Sequence, residues 1–154
     1  MATREEAENA IKEYPHVARD IHRRRLEIKV PFVPFEDENV NAGRAQNVRN
    51  EAVENMIINL DDDPKLTDLY NARDAVECVL NQCVNKQVRS LLDKATYDII
   101  YEFYLRETQI YNAEGIGKKV NLSRARVYAR KDAFVDAVRK ELSKRDGSET
   151  NTPK

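Results

Sequence analysis

There is no tryptophan in this 154-residue chain, and only four glycines and five prolines interrupt it. With so little punctuation, and with Ala, Glu, Lys, Arg and Leu abundant, almost every ordered segment reads as helix. The longest apolar runs are a few residues, far short of the roughly 20 that a membrane-spanning helix needs. No apolar core follows Met1-Ala-Thr-Arg-Glu-Glu, so nothing marks the start for secretion and a cytosolic chain is expected. A glycine-rich phosphate loop is missing too, since Gly115 and Gly117 stand as a lone pair in helical context. The two histidines, His16 and His22, lie in an Arg-rich segment with no nucleophile motif beside them. Carboxylates gather in helix caps and acidic loops, so the chain reads as a non-enzyme with no cofactor. Its two cysteines, Cys78 and Cys83, match neither a Cys-x-x-Cys nor a zinc spacing. Buried free thiols are expected ahead of a disulfide or a metal site.

Charge is plentiful but unevenly placed. There are 26 Lys and Arg against 27 Asp and Glu, a net charge of −1. Residues 36–63 hold eight acidic residues and two Arg, whereas no acidic residue lies between Gly115 and Lys131. The overall balance is therefore a poor guide to partners, and the two halves point to separate jobs.

The expected fold class is all-α. An N-terminal helical segment covers residues 1–29, with one helix over 3–14 stopped before Pro15 and a second over 16–29. Val17, Ile21 and Ile28 share a face there, and Arg23, Arg24 and Arg25 read as solvated. Residues 30–44 form an extended connector broken by Pro31 and Pro34, with Phe32 and Phe35 as anchors. Central helices fill 45–92, as a module for oligomerisation or for contact with a partner. The first carries Val53, Met56, Ile57 and Leu60 on one stripe. Asp61-Asp62-Asp63-Pro64 then ends one helix and starts the next, rather than holding a metal ion. Leu66, Leu69, Tyr70, Arg73, Val76, Leu80, Cys83 and Val84 recur at helical steps as a buried face. Val88, Leu91 and Leu92 make a short helical turn. The last domain spans 93–143: a helix over 96–106 with Tyr97, Ile100, Phe103 and Tyr104 inward, then a helical pair. Residues 144–154 are expected to be a disordered tail.

The helical pair is the most informative stretch. Asn112 is placed to cap its first helix, and Ile116 and Val120 fall on one face. Asn121 tolerates the left-handed conformation a tight turn needs, Leu122 plugs the gap and Ser123 caps the second helix. Val127 then points inward, followed by Phe134, Val138 and Leu142. Around this skeleton sit Lys118, Lys119, Arg124, Arg126, Arg130 and Lys131. A solvated charged face is the common meaning of such a run. Here the small residues, turn, cap and single sign of charge occur in order, as in a helix-turn-helix that binds double-stranded DNA. Arg124, Ala125 and Tyr128 would lie nearest base edges. Lys118, Lys119, Arg126, Arg130 and Lys131 would hold phosphates, helped by Ser123.

Over Thr96–Leu142 the pattern resembles the promoter-reading domain of bacterial sigma factors, their region four. The likeness lies in Glu102-Phe103-Tyr104, then Glu114-Gly115-Ile116-Gly117, then Leu122-Ser123-Arg124-Ala125-Arg126-Val127-Tyr128. The loop after Tyr104 is longer than in most sigma factors. With Lys12-Glu13-Tyr14-Pro15 and the Val30–Gly43 break, the chain as a whole resembles the ArpU/RinA-like phage transcriptional regulators. That resemblance implies an activator of late phage genes for packaging, structure and lysis, acting at the nucleoid of a bacterial host. Its partners would be double-stranded DNA and host RNA polymerase. One such module is a small footprint, so a homodimer or a polymerase contact is needed for specificity. The alternatives are a small-terminase-like DNA-packaging subunit and a non-catalytic helical adaptor.

Overall fold

The computed structural model describes residues 1–29, 45–85 and 91–146, with side chains in the second stretch from Val53 onward. Within these residues all regular structure is helical, as expected. The elements are α1 (Arg4–Lys29), α2 (Ala45–Asp62), α3 (Pro64–Val84), α4 (Lys94–Ile100), α5 (Ala113–Val120) and α6 (Arg124–Asp146). A π-helical turn, Tyr101–Leu105, continues α4, and the Arg106 N–H closes it on the Tyr101 carbonyl at 2.9 Å. No described helix is long and apolar enough to cross a membrane. The expected connector at 30–44, Val88 and residues 147–154 lie outside the described residues.

Helix α1 does not stop at Pro15; the proline lies inside it. An interior proline removes a hydrogen bond and costs about 3 kcal/mol. Burial on both sides offsets this: Ala7, Ala10 and Ile11 precede the proline, and Val17 and Ile21 follow it. The start of α1 is fixed by a capping box. Glu6 N–H donates to the Thr3 hydroxyl at 3.2 Å, and Thr3 N–H donates to the Glu6 carboxylate at 2.7 Å.

Packing divides the chain into two units, residues 1–17 with 71–154, and residues 18–70. This differs from the expected boundaries at 29, 44 and 92, because one core collects side chains from both ends of the sequence. Ala7, Ala10 and Ile11 of α1 meet Val76, Val79, Leu80 and Cys83 of α3, Ile100 of α4, and Phe134, Val135 and Val138 of α6. The far half of α3 thus belongs to the core of the C-terminal unit. Leu92, Tyr97, Tyr104 and Leu142 pack against that core from its edge. Val84, expected inside, is exposed, and Leu91 lies in a bend rather than a helix. Helix α6 runs to Asp146, taking in residues expected in the tail. Both cysteines are free, and burial, with the nearby Asp93 charge, pushes the Cys83 thiol up to about 11.

In the unit of residues 18–70, Asp63 starts α3. Its carboxylate accepts from the Leu66 N–H at 3.0 Å. It also takes both arms of Arg24, Nε at 2.9 Å and Nη2 at 2.8 Å. Arg24 is therefore not the solvated cation its neighbours Arg23 and Arg25 are. The Arg24 guanidinium holds the Asp63 carboxyl below its usual range. The apolar stripe of α2 also departs from expectation, since Val53 and Ile57 are exposed, and Met56 and Leu60 are only partly covered.

Phe134 is among the largest fully buried side chains. Truncation of Phe134 to Ala is expected to lower stability by about 3–5 kcal/mol, read as a shift in the denaturant midpoint.

Candidate nucleic-acid interface

Helix α5 begins where Asn112 accepts the Gly115 N–H through its side chain at 2.9 Å. It ends at Asn121, which adopts φ 58° and ψ 42°, the left-handed conformation expected of it. The Leu122 N–H then donates back to the Gly117 carbonyl at 2.8 Å. This brings backbone close to Gly117: a Cβ there would lie 2.6 Å from the Leu122 carbonyl oxygen. Glycine at 117 is thus the residue that lets the turn close. Ser123 caps α6 as expected, its carbonyl accepting from Val127 N–H at 3.0 Å and its hydroxyl from Arg126 N–H at 3.4 Å. Ile99 of α4, Ile116 of α5 and Val127 of α6 meet in a fully buried cluster, edged by Phe103, Val120 and Leu122. Three apolar contacts therefore set the outward direction of the first turns of α6.

On that outward face Ser123, Arg124, Ala125, Arg126 and Tyr128 are all exposed, and Lys118 is exposed at the end of α5. The Arg124 guanidinium stands 5.7 Å from the centre of the Tyr128 ring. Lys131 caps an aromatic platform, its Nζ 4.8 Å from the Phe103 ring, 5.4 Å from Tyr104 and 5.8 Å from Tyr128. The rings thus hold the ammonium itself in place, in a cation–π arrangement that leaves its charge unpaired by any carboxylate among the described residues.

Two of the expected phosphate contacts have other partners. Lys119 Nζ lies 2.6 Å from a carboxylate oxygen of Glu102, a residue buried in the π-helical turn. Arg106 reaches the other oxygen at 2.9 Å. Arg130 is mostly buried and pairs with Asp93 at 2.5 Å. Asp93 in turn caps α4 through the Thr96 N–H at 3.0 Å. Lys119 and Arg130 are therefore positioning residues, fastening α5 and α6 to α4. Glu102 had no assigned role in the sequence reading. Its i,i+4 spacing to Arg106 is legible in the sequence, but the pairing with Lys119 is created by the fold.

The Lys119 hydrogen bond, with Arg106 behind it, outweighs burial and holds the Glu102 carboxyl below its ordinary range. For Asp93, burial pushes upward, but Arg130 and the Thr96 amide together prevail and lower it. A carboxylate depressed on folding contributes stability above its unfolded value and loses it as pH falls through the folded one. Replacing Glu102 by Gln should therefore lower the melting temperature most at neutral pH. Acidification through the carboxylate range should bring the wild-type and variant curves together. At the turn, Gly117→Ala is expected to lower stability by about 1–3 kcal/mol through overpacking against backbone. Gly115→Ala should be milder in the same thermal melt, because its neighbours are mainly side-chain atoms of Tyr111 and Asn112.

Compared with protein-family models, with curated proteins and with solved structures, the chain finds no match.

Proposed function

We propose that α5, the Asn121–Ser123 turn and α6 form a helix-turn-helix that reads double-stranded DNA, with the start of α6 entering the major groove. The observation that carries this is the exposed, acid-free face made by Ser123, Arg124, Ala125, Arg126, Tyr128 and Lys118. Major-groove readers place the first residues of the second helix against base edges. Arg124 has the fork that can take guanine O6 and N7, and Ala125 is small enough to meet a thymine methyl. Lys118, Arg126 and Lys131 serve phosphates, with Ser123 beside them. Neutralising Glu102 and Asp93 with Lys119 and Arg130 favours the same reading, because it keeps carboxylates from facing the polyanion. The work of such a protein is binding rather than catalysis. Through its resemblance to the phage regulators, the reading extends to transcription activation of late phage genes, with host RNA polymerase as the second partner.

Fluorescence anisotropy on duplexes from the DNA flanking its own gene tests this. Selective, saturable binding is expected, with a log–log salt slope of about −3 to −4 for roughly four cationic contacts. Arg124→Ala with Arg126→Ala should weaken specific binding by about 2 kcal/mol, roughly thirtyfold, and relax selectivity. Lys118→Ala should flatten the slope by about one while leaving selectivity intact. Equal affinity of the double variant and wild type for every duplex would exclude this role for the face.

A further inference from the structure

The unit of residues 18–70 carries two exposed surfaces that match each other. On α1, Arg23, Leu26 and Lys29 follow at three-residue steps and fall on one face, all exposed. On α2, Glu54 and Asp61 are exposed and bracket Ile57 and Ile58 at the same three- and four-residue steps. Leu26 is 46% exposed, Val53 50%, Ile57 51% and Ile58 54%, so neither apolar patch is covered by the described residues. The charged brackets span similar lengths, about 9 Å on α1 and about 10 Å on α2. Their surroundings carry the same signs. Residues 18–29 hold five Arg and Lys against Asp20 and Glu27, whereas α2 from Val53 onward holds Glu54, Asp61 and Asp62 and no Arg or Lys. Arg24 is occupied by Asp63 and Glu27, but Arg23 and Lys29 have no ion pair with a described residue.

We infer that this chain forms a two-fold homodimer in which the Glu54–Asp61 face of α2 docks on the Arg23–Lys29 face of α1 in a second copy, and the reverse. A basic–apolar–basic row and an acidic–apolar–acidic row on one chain satisfy the rule that a two-fold interface complements itself. Pairing α2 with its own copy antiparallel would instead set Glu54 and Asp61 against like charge. The apolar residues supply the buried centre, and the ion pairs form the rim that sets register. The dimer does not depend on whether α6 reads DNA, since none of the residues proposed to touch DNA lies in this unit. If α6 does read DNA, dimerisation gives one operator two reading helices.

A charge swap tests the docking. The wild type should sediment and scatter as two copies of the 17.8 kDa chain, with weaker association at high salt. Arg23→Glu/Lys29→Glu and Glu54→Lys/Asp61→Lys should each be monomeric, because each sets like charges against each other in both contacts. An equimolar mixture should recover the dimer, since the heterodimer has opposite charges in both. All four side chains are exposed, and circular dichroism checks that the variants stay folded. If either charge variant unfolds, Ile58→Ser replaces it and should weaken the dimer without the swap. A monomeric wild type, a larger ring, variants that dimerise like wild type, or a mixture that stays monomeric would each overturn the docking. Half-site DNA affinity of the swapped variants should equal wild type, which separates failure here from failure of the DNA reading.

Discussion

Val127 and Phe134 sit two turns apart on α6, and each closes a different apolar cluster. Val127 meets Ile99 and Ile116, while Phe134 joins the larger core that includes Ile11, Val79 and Ile100. One helix is thereby gripped at two levels, and its rotation about its own axis is determined. Because Val127 points in, Arg124, Ala125 and Tyr128 point out. The start of the chain reinforces the grip. Arg4 pairs with Asp132 at 2.6 Å, and the Ala2 N–H donates to the Ser143 hydroxyl at 3.0 Å. The exposed ion pair is worth little by itself, but with the partly buried hydrogen bond it seats the start of the chain against the same helix whose first turn forms the candidate interface.

Electrostatics sorts the basic residues into two groups. Lys119 and Arg130 face acidic partners within hydrogen-bonding distance, and their charges serve the contact of α5 and α6 with α4. Arg124 and Lys131 lean on aromatic rings, which order long side chains without neutralising them. Lys118 and Arg126 have no ion pair with a described residue. A buried carboxylate on the π-helical turn thus does more than balance two cations. It draws α5 toward the turn and leaves the positive field to those side chains that stand clear.

Much of this was legible from residue order. The Asn112 cap, the left-handed Asn121, the Leu122 plug, the Ser123 cap and inward Val127 all act within a few residues, so local chemistry decides them. The buried face of α3 was legible in the same way, from its period. What was hidden depends on distant parts of the chain. Pro15 is an obstacle to a helix unless burial on both sides outweighs it. Lys119 and Lys118 are alike in sequence, and only the position of Glu102 tells them apart. The stripe on α2 has the period of a buried face, yet the described residues leave Val53 and Ile57 exposed and cover Met56 and Leu60 only in part. Periodicity reports that a face is apolar, but not which molecule covers it.

Cys83 has a use beyond its packing. Its thiol is buried in the main core with Val79, Leu80 and Phe134, and burial pushes its pKa up to about 11, which makes it a weaker acid than a free thiol. Only the thiolate attacks alkylating reagents and disulfides. In the folded chain Cys83 is therefore shielded from such reagents, while Cys78 is only partly covered. The slower labelling of Cys83 then clocks how often this core opens to solvent, so the chain carries a native reporter of its own breathing.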